Sequence, residues 1–126
     1  MSKAPRWEKV PLDQDYAAAA RYLSLLLPPG DASALASGLR DRPVILHRAN
    51  DLLRASGLAL LEPDDPEVVK DLKKVKQGTK LSPVLLIRGR LGASGLTVAD
   101  GYHRICASYH LDPDSEIPCC IGDLEG

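Results

Sequence analysis

Phenylalanine is absent from this chain of 126 residues, tryptophan and methionine occur once each, and aromatic residues make up only 4%. A core must therefore be assembled from Leu, Val, Ile and Ala. No apolar run is long enough to span a bilayer: the longest, residues 23–27, is interrupted by Ser24 and stopped by Pro28-Pro29. The first ten residues carry Trp7, Glu8 and Lys9 and contain no apolar secretion core. No membrane partner is expected, and a cytoplasmic location is the default expectation. An excess of one charge is also missing. The formal net charge is −1, which argues against a nonspecific nucleic-acid coat and against an anionic membrane surface as partner, while leaving room for a local basic site.

Cysteine is scarce and badly placed for cross-linking. Cys106, Cys119 and Cys120 are odd in number, and two of them are adjacent, so they make no disulfide framework. Neighbouring strand residues point to opposite faces, so Cys119 and Cys120 would not chelate one metal together. Buried small apolar residues are the expected outcome. The three histidines add no metal-ligand spacing, and no metal site is expected.

What is present is one domain's worth of chain with ordinary proportions, 44% hydrophobic and 26% charged. The first third reads as helical. Asp13 or Asp15 can cap a helix carrying Tyr16, Ala20, Leu23 and Leu26, and Asp31 can cap a second through Leu35 and Leu39. Val44-Ile45-Leu46 reads as a short buried strand, followed by a helical turn capped by Asn50 and closed by Gly57. Asp65-Pro66-Glu67 is a strong helix start: a cap, a proline at the first helical position, then an acid. Val68, Val69, Leu72 and Val75 continue it to Gly78. Residues 83–87 and 96–99 read as a hairpin, a helix follows through residues 105–109, and residues 117–121 read as a last strand that Pro118 marks as an edge. The order fits a mixed-sheet α+β domain spanning residues 1–126, with residues 1–42 as a helical N-terminal extension.

The segment with chemistry in it is 98–105. A β-branched strand runs into Asp100-Gly101 and a helix begins at once. Glycine admits a positive φ and lets a ligand approach the backbone. The free N–H groups of the first turn and the helix dipole both favour an anion there. His103 and Arg104 add donors at the same end, and the planar guanidinium can grip two phosphate oxygens. The plainer reading gives Asp100 a capping role, leaves His103 and Arg104 solvated, and makes Gly101 a simple turn. Against it, two cationic residues in a first turn oppose the dipole, a local inconsistency of the kind found at functional sites.

Three further features have ordinary explanations. The lysines at 70, 73, 74, 76 and 80 suit a solvated helix face, or a basic lip on a pocket. His47-Arg48 and His110 need no function, and Trp7 can staple the N-terminal arm to the core or touch a second subunit.

Taken together, residues 80–87, the hairpin, Thr97-Val98-Ala99-Asp100-Gly101-Tyr102-His103-Arg104-Ile105 and Ile117-Pro118-Cys119 resemble the ParB/sulfiredoxin superfamily over residues 62–122. The resemblance implies a phosphate cradle for ATP, ADP or CTP, with or without Mg²⁺. Gly101, Tyr102, His103 and Arg104 would then form the turn, with Lys80 and Ser82 near the same pocket. Sulfiredoxins carry a reactive cysteine where this chain has Tyr102, and a phenol cannot replace a thiolate nucleophile, so sulfinic acid reduction is not expected. DNA-loading members carry a following helix-turn-helix domain for which the chain, ending at Gly126, leaves no room, so nucleic acid is not the expected partner. Free serine kinases of the superfamily use an Asp-Gly-His-His-Arg turn close to residues 100–104. Such a kinase needs a base, for which Asp100, Glu62, Asp64 and Asp65 all qualify, while His103 is the second catalytic candidate beside Asp100.

Two functions follow as expectations. One is a small phosphotransferase or nucleotide hydrolase acting on a small-molecule or protein acceptor. The other is a non-catalytic nucleotide-binding or protein-interaction module of the same fold. A DNA-binding or nuclease-like ParB relative ranks behind both. The first forty residues are open to roles as a lid or as a homodimer contact.

Overall fold

The computed structural model describes residues 4–124. The chain runs α1 (Asp13–Leu23), α2 (Pro29–Gly38), a 3-10 turn (Leu39–Asp41), β1 (Ile45–Arg48), α3 (Ala49–Ser56), α4 (Pro66–Gln77), β2 (Val84–Arg88), β3 (Thr97–Asp100), α5 (Tyr102–Leu111) and β4 (Glu116–Asp123). The class is α+β, around one four-stranded sheet of order β1-β4-β2-β3. The β4–β2 pair is parallel, and the β1–β4 and β2–β3 pairs are antiparallel.

Strand alternation sorts the core into two halves. Val84 and Leu86 of β2 and Ile117, Cys119 and Ile121 of β4 pack with α3, α4 and α5. Leu85 and Ile87, together with Cys120 and Ala99, face Tyr16, Ala19 and Leu23 of α1 and Ala32 and Ala36 of α2. β2 is thus covered on both faces, which explains its unbroken apolar run. The N-terminal helices form the entire second layer. Cys119 and Cys120 point to opposite faces as expected, and all three cysteines are buried and free. Burial pushes the Cys119 thiol up to about 12, so it is inert as a nucleophile at neutral pH.

The most clearly signalled helix, α4, has the start its sequence predicts. Asp65 accepts from the amides of Glu67 (3.0 Å) and Val68 (3.1 Å), Pro66 is the first helical residue, and Gly78 closes the helix in the left-handed region. Other starts differ by a residue or two. Leu12 precedes α1, Pro28 precedes α2, and α3 begins at Ala49 ahead of Asn50.

Two strand expectations are corrected. β1 is an exposed edge strand, not a buried one, because only β4 flanks it. β4, conversely, is internal despite Pro118. Its ladder with β2 begins at Cys119, so the missing N–H of Pro118 falls before that ladder starts. The N-terminal arm is tied down ahead of α1. Trp7 bridges to Leu81, Glu8 donates its amide to the Leu81 carbonyl (2.7 Å), and Leu81 donates to the Arg6 carbonyl (2.8 Å). Among the described residues, no helix is long and apolar enough to cross a membrane.

Candidate functional site at the start of helix α5

The β2–β3 register slips just before the glycine turn. Leu86 pairs with Val98, but Leu85 pairs with Asp100, so Ala99 is an extra residue in β3. This bulge breaks strict alternation and brings Asp100 to the α1 side of the sheet, the side that Ala99 also faces. Gly101 follows with φ +113°, and a Cβ there would lie 2.4 Å from Val84 Cγ1 and 2.8 Å from Val84 Cβ. Packing against Val84 is therefore a sufficient reason for glycine at this position.

α5 begins immediately afterwards with no side-chain cap and no acidic residue in its first turn. Its first internal hydrogen bond runs from the Ile105 amide to the Gly101 carbonyl (3.1 Å). The amides of residues 102–104 have no place in the helix's own ladder. The contrast with α4, whose first amides are taken by Asp65, is direct.

Arg104 is neither solvated nor free. Its Nη2 donates to Asp100 Oδ2 at 2.9 Å and reaches the Pro83 carbonyl at 3.4 Å, and its Nη1 lies 3.9 Å from Asp15 Oδ1. Its Nε is buried without a hydrogen-bond partner, which costs about 1–3 kcal/mol relative to a satisfied donor. The Arg104 and Asp100 side chains are only 15% and 18% exposed, and Asp15 is 6% exposed. The guanidinium reaches from α5 past the end of the sheet to α1, so this ion cluster joins the two layers of the molecule.

Burial raises the Asp100 carboxyl above its ordinary value. Arg104 opposes that rise, while the nearby Asp15 carboxyl adds to it. Asp71 of α4, also buried, is raised for the same first reason, with Lys74, Arg104 and His103 pulling it back. His103 and Arg104 thus lie within the electrostatic reach of Asp71.

The remaining expected site residues differ in exposure and in partners. Ser82 is 8% exposed, between Leu81 and Pro83, while Lys80 is exposed. Tyr102 turns towards the α3–α4 connection. Its hydroxyl donates to the Ala59 carbonyl, and its ring lies 5.5 Å from that of His103. Of the other candidate bases, Asp65 is committed to capping α4, and Glu62 and Asp64 are exposed. His110 Nε2 is 2.6 Å from the Leu61 carbonyl, so it carries the hydrogen there. Lys70 pairs with Glu67 at 3.1 Å on the solvated face of α4. Sequence reading saw Asp15 only as a possible helix cap. Its carboxylate does accept the Leu12 amide (2.8 Å), but its second role, beside Arg104, depends on how α1 crosses the sheet.

A cavity also lies elsewhere. It measures ≈ 490 Å³, between α3 and the β2–β3 loop at the far end of β2, and is lined by His47, Leu52, Arg88, Leu91, Leu96 and Ile121 among others. Among the described residues, no three His, Cys, Asp or Glu side chains are grouped to hold a metal ion.

The raised carboxyls fix a sign for the pH dependence of stability. A carboxyl that holds its proton more tightly when folded contributes most below its unfolded value, here 3.8. That contribution is lost as pH rises through the folded value, at about 1.4 kcal/mol per unit of elevation. Asp123, paired with Arg88 at 2.6 Å and lowered by it, has the opposite sign but is exposed and screened. In urea melts between about pH 4 and about pH 7, Asp71 and Asp100 should therefore make stability fall as pH rises. Asp71→Asn should flatten that trend, and an unchanged slope would contradict the assignment.

No protein-family model, no curated protein and no solved structure matches this chain.

Proposed function

We propose that the chain binds the phosphates of a nucleotide, ATP, ADP or CTP, at the start of α5, and that it acts as a small phosphotransferase or nucleotide hydrolase. The observation that carries this reading is an uncapped helix start with no acid in its first turn, beside an arginine whose Nε lacks a partner. Amides 102–104 supply aligned donors, and Arg104 supplies a fork that would gain hydrogen bonds from an incoming phosphate. His103 flanks the turn, and Ser82 precedes Pro83, whose carbonyl Arg104 reaches at 3.4 Å.

Asp100 is the residue best suited to proton transfer. Its raised carboxyl can take a proton from an acceptor hydroxyl or from water more readily than an ordinary surface carboxylate. Mg²⁺ held mainly by the nucleotide phosphates would neutralise charge on a transferring phosphoryl group.

A thermal-shift titration with ATP, ADP and CTP, with and without Mg²⁺, tests the reading. Saturating ligand should stabilise the protein by about 2–3 kcal/mol at a hundredfold excess over Kd. Absence of any shift at about millimolar nucleotide would reject it.

A second reading, a non-catalytic interaction module, is favoured by one observation. Leu91, 106% exposed, and Leu96 line the ≈ 490 Å³ cavity. Exposed apolar residues around a concavity suit a protein contact. Product analysis with Mg²⁺ separates the two: turnover supports the enzyme, and binding without turnover supports the module.

A further inference from the structure

We propose that Asp15 is the resident anion of the α5 site: α1 supplies a carboxylate that holds Arg104 inward, and an incoming phosphate displaces that contact. The inference rests on the nucleotide reading above and adds a residue from outside the region of family resemblance.

The geometry is that of a guanidinium held but not saturated. Asp100 takes Nη2 at 2.9 Å, Asp15 approaches Nη1 only to 3.9 Å, and Nε has no acceptor. Asp15 is itself fixed. Its other oxygen accepts the Leu12 amide, and its helix is anchored in the core by Tyr16, Ala19 and Leu23. The carboxylate therefore stays in place, and Arg104 is the part that must move. Two carboxylates on one guanidinium leave the cluster with an excess negative charge, to which Asp71 adds from α4. An anion approaching Arg104 thus competes with Asp15 for Nη1 and meets repulsion from it. A resident contact of this kind lowers apparent affinity by the extent to which it favours the ligand-free arrangement. Removing the charge while keeping the side chain's shape and its acceptor for Leu12 should raise affinity.

The test is calorimetric titration of ATP into the full chain and into Asp15→Asn and Asp71→Asn. Asp15→Asn should bind ATP roughly fivefold to tenfold more tightly. Asp71→Asn removes a negative charge that Arg104 also influences but with which it makes no ion pair, and should change affinity less than about twofold. No gain in Asp15→Asn, or an equal gain in Asp71→Asn, would overturn the proposal while leaving nucleotide binding intact. If neither wild type nor variant binds ATP, the nucleotide reading fails and this inference with it. Should Asp15→Asn not fold, the carboxyl carbon of Asp15 in wild type can be followed by NMR during ATP addition. A shift that saturates with binding supports the displacement, and an unmoved signal from a saturated protein contradicts it.

Discussion

Arg104→Ala is expected to abolish nucleotide-dependent stabilisation and, without any ligand, to cost about 3–4 kcal/mol of folding stability at neutral pH. Both effects come from the same place. The guanidinium is the cation between Asp100 and Asp15, at 2.9 Å and 3.9 Å, and all three side chains are less than a fifth exposed. Removing one partner of a buried ion cluster costs more than the cluster contributed, because the remaining charges keep their desolvation penalty without compensation. Here two carboxyls would be left facing each other. The cost should shrink as pH falls, because the pair can then share a proton and one negative charge disappears. Urea melts of wild type and Arg104→Ala at about pH 7 and about pH 5 measure this directly. A variant within about 1 kcal/mol of wild type at neutral pH would mean that the cluster is effectively solvated. Arg104→Lys should recover part of the stability but little of the ligand shift, since an ammonium cannot grip two phosphate oxygens as a planar fork does.

Gly101→Ala should destabilise the protein by about 3 kcal/mol, combining backbone strain with overpacking. At φ +113° an L side chain is strained wherever it sits, and a Cβ here would also meet Val84 Cγ1 at 2.4 Å and Val84 Cβ at 2.8 Å. Val84 begins the internal strand β2 and is fully buried, so it has nowhere to retreat. The melt should show a lower midpoint with an unchanged m-value, the signature of lost stability without a change in the unfolded ensemble. A neutral Gly101→Ala would contradict the close approach of the turn to β2. Because this substitution strains the fold as well as the anion site, it cannot stand in for Arg104→Ala as a probe of binding.

How much of this was legible in the sequence varied with the range of the interactions involved. α4 was legible because its start is local: Asp65, Pro66 and Glu67 specify a capped first turn, and Gly78 specifies its end. The strand at residues 84–87 was legible from its unbroken apolar run, which suits the two-sided burial of β2. The exposure of β1 could not, because Val44-Ile45-Leu46 has the same composition as a buried strand and only the strand order places it at the edge. Pro118 misled for a related reason, since proline forbids a donor at one position and not an internal location for the whole strand. At the site, the glycine turn and Arg104 were visible as a pattern, but the pattern left Arg104 either aimed at an anion or solvated, with no acidic partners. Its inward pose depends on the one-residue bulge at Ala99 and on an acid about ninety positions earlier in the chain. Neither leaves a mark in the local sequence: an aspartate in a helix's first turn is common, and a bulge needs no special residue type. Tyr102 spends its hydroxyl on the Ala59 carbonyl and serves the α3–α4 connection.

The claim that phosphates bind at the start of α5 is tested most directly by following backbone amides in a ¹H–¹⁵N NMR titration with ATP and Mg²⁺. Saturating shifts concentrated at residues 101–105, absent in Arg104→Ala, are the predicted result. Shifts confined to the cavity lined by His47, Leu52 and Leu96, or no shifts at all, would contradict it.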